Sequence, residues 1–338
     1  MSGLRHTVFV SLSLMIVSAL AYLVLPASAQ NCQTSADLED STRSAISAAG
    51  QHYFDLVAKG DITTLRQNAA GNLVSDFSGV EAAVKNHQQD LAAAQATMKA
   101  AFLLETEGTG PIPHAEFYCG VFGKGGQTSN STIFYLDNLP AGTYAVVIFD
   151  AASPRGQTNF SAILQQAGSD WKLAGLYLKP AQVAGHDSDW FLARAREYKS
   201  KGQPHNAWLF YLEARSLISP LPFMSTRATD RLYDEAQEVQ PADVPAGGKT
   251  AALTAGTASY TLTALFPEAV GNDVDLIVKY QAADVSDINQ SYQNNIAVMK
   301  ALVAKYPEVR DAFAAVVARA VDPNGHDYGT LLAMKDIK

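Results

Sequence analysis

Two strand-like runs joined by a short polar turn decide the fold of this chain: Gln157-Thr-Asn-Phe-Ser-Ala-Ile-Leu-Gln165, Gly168-Ser-Asp170 and Trp171-Lys-Leu-Ala-Gly-Leu-Tyr-Leu178. Runs of this length that contain apolar residues and are bounded by glycine, serine and aspartate are typical of antiparallel strands. Similar runs upstream predict further strands at residues 99–107, 115–122, 131–136 and 143–149. The middle of the chain is therefore predicted to form a curved antiparallel sheet.

Three helices are predicted before this sheet. In the first, apolar residues recur at intervals of three and four, and Gly60 provides the stop signal. Asp61 is placed to cap the second helix. The three predicted helices span residues 41–60, 61–68 and 79–97. Helices followed by an antiparallel sheet give an α+β order.

The order of these elements is similar to that of a known fold family. The segment Tyr53-Phe-Asp-Leu-Val-Ala-Lys-Gly-Asp61 and the strand with Trp171-Lys172-Leu173-Ala174-Gly175-Leu176 resemble parts of the ketosteroid-isomerase-like, nuclear-transport-factor-like cone fold. The resemblance covers roughly residues 41–179. It implies a conical pocket but not a particular activity.

Residues 188–221 resemble a single tetratricopeptide repeat, a helical hairpin of about 34 residues. The resemblance rests on small and aromatic residues at the family spacing: Phe191, Ala195, Tyr198, Gly202, Ala207, Tyr211 and Ala214. Arg194 and Pro204 depart from the pattern, although proline suits the first turn of a helix. A lone repeat cannot form the concave groove of an array, so the resemblance implies a connector between neighbouring domains.

The last third of the chain is predicted to be a small α+β module that follows a linker. A helix is expected at 226–237, and the proline- and glycine-rich segment 240–248 marks a boundary. The pattern then predicts strands at 258–266 and 274–281, a helix or helix pair at 285–320, and a strand at 328–334. The predicted divisions are a leader at 1–29, a cone-like domain at 30–182, a helical-hairpin connector at 186–238, a linker at 239–250 and a C-terminal α+β domain at 251–338.

The first 29 residues have the pattern of a secretory signal peptide. Arg5 precedes an apolar stretch from Val8 to Leu25, and the small residues Ala27 and Ala29 form a processing site. Cleavage after Ala29 would release an exported protein, either periplasmic or extracellular. Because the apolar stretch is near the lower limit for spanning a bilayer, an uncleaved N-terminal anchor is the alternative.

Two cysteines remain after the predicted cleavage, Cys32 and Cys119. An even pair in an exported chain favours a disulfide, which would stabilise the fold by restricting the unfolded chain. A redox or nucleophilic cysteine is the alternative, but no C-x-x-C spacing is present. The sequence therefore predicts a structural bridge.

The charge of the chain argues against two classes of partner. The net charge is −8, and removal of Arg5 with the leader makes it one unit more negative. Such a surface repels nucleic-acid phosphates and anionic lipids, and no run of lysine and arginine offsets it. We therefore predict no nucleic-acid partner, and no membrane contact beyond an uncleaved anchor.

The sequence contains no common signature of catalysis or metal binding. The H-E-x-x-H, G-x-S-x-G and EF-hand patterns are absent, and no cofactor or metal is predicted. The segment His186-Asp187-Ser188-Asp189 is either the start of a metal site or, as its position favours, the cap of the next helix. Residues 322–327 are predicted to be a turn, because the distal glutamate of a calcium loop is missing.

Three residues of the cone-like domain are candidates for ligand binding: Tyr53, His87 and Tyr118. Enzymes of this fold family aim a carboxylate base and a hydroxyl or acid donor into an apolar pocket. By strand alternation Tyr118 shares one face with Glu116. No local spacing selects a catalytic residue among these side chains.

Trp208 and Phe210 are candidates for anchoring a partner, provided that the helical hairpin exposes them. The prediction from sequence is an exported, non-enzymatic binding or interaction protein of unknown specificity, whose partner is a protein or a small apolar ligand. The alternative is an enzyme or an apolar small-ligand carrier that uses the pocket of the cone-like domain.

Overall fold

The computed structural model describes residues 30–338, so the signal-peptide prediction at 1–29 lies outside the described residues. The described chain has the predicted α+β architecture. Its helices are α1 (Asp40–Lys59), α2 (Ile62–Gln67), α3 (Gly71–Ser75), α4 (Ser78–Leu91), α5 (Ser188–Ser200), α6 (Pro204–Ile218), α7 (Arg227–Gln237) and α8 (Ile288–Lys305). Its strands are β1 (Asn31–Thr34), β2 (Gln95–Glu105), β3 (Ile112–Gly123), β4 (Gly126–Leu139), β5 (Thr143–Ser153), β6 (Gly156–Ala167), β7 (Asp170–Pro180), β8 (Met224–Thr226), β9 (Ala251–Ala255), β10 (Ala258–Val270), β11 (Asp273–Gln281), β12 (Ala315–Val321) and β13 (Asp327–Ala333).

The first sheet has the strand order β1-β2-β5-β6-β7, and its neighbouring strands are antiparallel. The six strands predicted between residues 99 and 178 are confirmed as β2 to β7, since alternation and turn residues are local signals. Helices α1 to α4 cover one face of this sheet. The core beneath them includes the mutually contacting rings of Phe54, Phe149 and Phe160.

A second sheet, of order β3-β4-β8, covers the opposite face of the first sheet. The layer between the two sheets is apolar, and the rings of Phe102 and Phe134 meet there with their centroids 5.0 Å apart. Strand β1 pairs with β2, and its Cys32 forms a disulfide with Cys119 of β3. The predicted disulfide is thus confirmed, and it fastens the start of the described chain to both layers.

Helices α5 to α7 and the C-terminal elements enclose one shared hydrophobic core. The third sheet has the order β13-β12-β11-β10-β9, in which β11 and β12 are parallel and α8 connects them. The ring of Phe210 in α6 contacts that of Phe313 at a centroid distance of 5.6 Å. Elements on either side of the predicted linker at 239–250 therefore pack against each other.

The helix or helix pair predicted at 285–320 is wrong in its second half. Helix α8 ends at Lys305, a 3₁₀ turn spans Pro307–Asp311, and the chain then forms β12. The inward side chains of β12 alternate along the strand: Val316, Ala318 and Ala320. Pairing of β12 with β11 and β13 overrides the helix propensity of its alanines.

Strands β1, β8 and β9 are not predicted by the sequence pattern. Each is short, and its pairing partner is supplied by the tertiary fold or by a tight turn. The third helix, predicted to reach residue 97, ends at Leu91 because β2 begins at Gln95.

Lys179, at the end of β7, lies where the first sheet meets α6. Its ammonium group donates hydrogen bonds to the carbonyl oxygens of Ser216 at 2.6 Å and Ser219 at 3.2 Å. Burial raises the pKa of the nearby Glu213 to about 7; Lys179 opposes this shift, and Glu268 of β10 adds to it. A carboxyl group that titrates near neutral pH therefore lies between the two halves of the described chain.

Candidate functional site

The β3–β4 hairpin presents two different faces because successive side chains of a strand point in opposite directions. Phe117 and Cys119 of β3 are fully buried against the first sheet, whereas Glu116 and Tyr118 point outward. In the antiparallel register, Glu116 lies opposite Tyr135 of β4. Two tyrosines and one carboxylate therefore share the outer face of the hairpin.

Aromatic rings are concentrated on this outer face. The exposed fractions of Tyr118 and Tyr135 are 45% and 46%, and Phe122 is also exposed. The rings of Tyr118 and Phe122 contact each other edge to face at a centroid distance of 5.7 Å. We call Tyr118, Phe122 and Tyr135 the aromatic face.

The clustering distinguishes this surface from ordinary exposed apolar residues. Of the ten large apolar side chains that are exposed in the described chain, four belong to the β3–β4 hairpin: Tyr118, Val121, Phe122 and Tyr135. Single exposed apolar residues are common on soluble proteins and need no explanation. A contiguous exposed group, by contrast, marks a surface suited to interaction.

The hydroxyl groups of the aromatic face remain protonated at neutral pH. Tyr118 donates a hydrogen bond to Oε2 of Glu116 at 2.6 Å; this bond, with a smaller contribution from burial, raises the pKa of Tyr118. Burial, assisted by the charges of Glu116 and Asp230, raises the pKa of Tyr135. The surface thus combines uncharged phenol rings with carboxylates, an arrangement that favours a cation placed over an aromatic ring.

The hairpin is held in place by the chain that follows α6. The backbone N–H of Tyr135 donates to the carbonyl of Phe223 at 2.9 Å, and β8 then pairs with β4. Thr226 caps α7 through a reciprocal capping box with Thr229. Backbone pairing on both sides of β4 gives the aromatic face a rigid support.

Tyr53 packs in the core on the opposite side of the first sheet. Its side chain is buried, and its hydroxyl donates to the carbonyl oxygens of Asn68 at 3.0 Å and Trp171 at 2.8 Å. Burial raises the pKa of Tyr53 to about 12. This hydroxyl ties α1 to the α2–α3 connection and to β7.

His87 lies half-buried on α4, and burial lowers its pKa. Helix α4 belongs to the same layer as Tyr53, whereas Tyr118 lies beyond both sheets on the outer face of the hairpin. The structure therefore does not bring the three residues predicted for a ligand pocket into one site.

Trp208 and Phe210 are predicted to anchor a partner on condition that they are exposed, and the structure shows both of them buried. Trp208 is 3% exposed, and Phe210 is completely buried among Trp190, Phe191, Tyr198 and Phe313. The reason is visible in α6, whose run Ala207-Trp-Leu-Phe-Tyr-Leu212 is apolar around the whole helix. Residues 206–211 of α6 are accordingly buried.

The two segments considered as metal or calcium sites have structural roles. The side chain of Asp187 accepts a hydrogen bond from the backbone of Trp190 and caps α5, while the ring of His186 stacks on Trp190. Asp322 accepts from the backbone N–H groups of Asn324 and His326 and thereby closes the predicted turn. Within residues 30–338, no three histidine, cysteine or acidic side chains are grouped to hold a metal ion.

The sequence pattern identifies Tyr118 and Glu116 as neighbours on one face but does not select Tyr135 or Phe122. The alternation of side chains along β4 could have identified Tyr135. Its neighbours Phe134 and Leu136 are more buried, so Tyr135 points outward. Phe122 follows a register shift after Gly120, and no local pattern predicts that shift.

Comparison with known proteins identifies no matching family model, no similar characterised protein and no solved structure of similar fold. The cone-fold and tetratricopeptide resemblances therefore remain predictions. None of the helices in the described part of the chain is long and apolar enough to cross a lipid bilayer.

Proposed function

We propose that this chain is an exported, non-catalytic binding protein that recognises a protein partner through the aromatic face. The leader-like segment at 1–29 and the Cys32–Cys119 disulfide support export, since disulfides persist in oxidising compartments. The observation that carries the proposal is the grouping of Tyr118, Phe122 and Tyr135 on one exposed sheet face.

The chemistry of the face specifies the kind of partner. Exposed tyrosine rings supply large contact areas, and rings of this type are enriched at interaction hot spots. Glu116 lies beside both tyrosines, and Asp230 is close enough to influence the pKa of Tyr135. The partner is therefore a protein segment that presents arginine or lysine together with apolar side chains.

The alternative, an enzyme or carrier built on a cone pocket, would need Tyr53, His87 and Tyr118 around one cavity. The hydroxyl of Tyr53 already serves two backbone carbonyls, and Tyr118 lies in a different layer of the fold. The geometry favours the binding surface over this alternative.

The proposal is tested by recovering partners from the native host with the processed, tagged protein and with two double variants. Tyr118→Ala/Tyr135→Ala removes both tyrosines of the aromatic face, and Tyr233→Ala/Tyr292→Ala removes two tyrosines of similar exposure from helices. We expect the control to retain the partner and the aromatic-face variant to recover at least about tenfold less.

Equal recovery by all three proteins would contradict the proposal. Native mass spectrometry of the wild-type protein provides the complementary measurement. A bound small molecule that is released only on denaturation, with no protein partner, would favour the ligand-carrier alternative instead.

A further inference from the structure

Strand β9 forms an open edge of the third sheet. It is joined to β10 by a two-residue turn, with Ala255 paired to Ala258. In such a hairpin the backbone groups of alternate residues point toward the partner strand, so those of Ala252 and Thr254 point outward. No backbone partner within residues 30–338 occupies these outward N–H groups.

The β9 edge borders a groove of about 880 Å³. Ala252 and Thr254 line one wall, and the opposite wall is formed by α8. Three of the five α8 residues that line this wall have small side chains: Ala297, Ala301 and Ala304. Small side chains leave room for another strand to approach the open backbone of β9.

Three lysines surround the same groove: Lys300, Lys305 and Lys338. Lys305 is occupied, because it donates to the carbonyl of Ala252 at 3.3 Å and lies 3.4 Å from a carboxylate oxygen of Asp243. Within residues 30–338, Lys300 and Lys338 form no ion pair with an aspartate or glutamate side chain. The groove is therefore a locally basic site on a chain whose net charge is −8.

We propose that the β9 edge binds an extended, acidic segment of a partner protein, which adds to the third sheet as a sixth strand. Its backbone would pair with the outward N–H groups of Ala252 and Thr254, and its carboxylates would neutralise Lys300 and Lys338. Strand addition of this kind draws affinity from the main chain and specificity from alternate side chains. A second copy of the chain is a poorer occupant, because its own lysines would face these lysines.

This surface lies on a different sheet from the aromatic face, so the two binding proposals can fail independently. The probe is a fluorescein-labelled peptide of alternating glutamate and valine, eight residues long, whose binding to the whole processed protein is followed by anisotropy. We expect saturable binding, and none for the corresponding lysine–valine peptide. Lys300→Glu/Lys338→Glu should weaken binding at least about tenfold, whereas Lys124→Glu, in the β3–β4 turn, should leave it unchanged.

Two further changes test backbone pairing directly. Thr254→Pro removes an outward N–H that the β9–β10 ladder does not use, so we expect a folded protein that no longer binds the peptide. Methylation of alternate backbone nitrogens in the peptide tests the same pairing without altering the protein, and methylation along one edge should abolish binding. Absent binding, binding insensitive to these changes, or dimerisation through β9 would overturn the proposal.

Discussion

Aromatic side chains have different roles in the core of residues 188–338 and in the β3–β4 hairpin. In that core the rings of Phe210, Tyr280 and Tyr306 are buried together. In the β3–β4 hairpin, by contrast, Tyr118 and Tyr135 remain exposed on a sheet face that is fixed by pairing on both sides of β4. In our proposal, recognition therefore depends on strand parity and exposure, since size alone would favour Trp208 and Phe210.

The strongest test of this contrast compares Phe210→Ala with Tyr118→Ala. Removing the ring of Phe210 leaves a cavity among four aromatic neighbours and should lower the free energy of unfolding by about 4 kcal/mol. Tyr118→Ala should lower it by less than about 1 kcal/mol, because the side chain is exposed. Urea unfolding at pH 7 measures both, and equal losses would refute the division between packing and recognition.

The disulfide provides the next largest effect and is confined to the first half. Cys32→Ala/Cys119→Ala opens a loop spanning 87 positions and should cost about 2 to 5 kcal/mol, the range for removal of a native disulfide. Hydrogen exchange should accelerate in β1 and β3 but not in α8, which packs in a separate core. Equal acceleration in all three elements would show that the two halves unfold as one unit.

The effect of Glu213 on the pH dependence of folding stability tests the contact between the halves. Its pKa is about 7 in the folded chain against an ordinary value of 4.5, so the native state holds a proton that the unfolded state releases. The associated stability is full below about pH 4.5 and is lost as the pH rises through 7. Glu213→Gln should therefore match the wild type near pH 4.5 and exceed its stability by about 2 kcal/mol at pH 8.

Thermal unfolding of both proteins between pH 4.5 and 8 measures this difference. Glu39→Gln, at an exposed position before α1, is the matched control and should follow the wild type. A constant difference between Glu213→Gln and the wild type at every pH would contradict the assigned role of Glu213.

Local signals account for the parts of the fold that the sequence predicts. Alternation and turn residues locate β2 to β7. The presence of only two cysteines in a chain predicted to be exported indicates the Cys32–Cys119 disulfide. Strand β12 is missed because its alanines favour helix until β11 and β13 enclose it. The choice between burial and exposure of Trp208 depends on what packs around α6, which local periodicity does not encode.

The candidate site is only partly predictable for the same reason. Tyr118 and Glu116 are two positions apart on one strand, so alternation places them together. Tyr135 joins them through the β3–β4 register, and Phe122 joins them through a register shift. Tyr53 is identified as a polar candidate, but only the fold shows that two carbonyl groups occupy its hydroxyl.

Site-specific photocrosslinking in the native host tests the role of the aromatic face most directly. A benzophenone side chain replaces Tyr135 in one strain and Tyr292, a similarly exposed tyrosine of α8, in another. We predict that position 135 yields one discrete adduct whose protein partner is identified by mass spectrometry, and that Glu116→Gln weakens the adduct. No adduct at position 135, or the same adduct at position 292, would contradict recognition through the aromatic face.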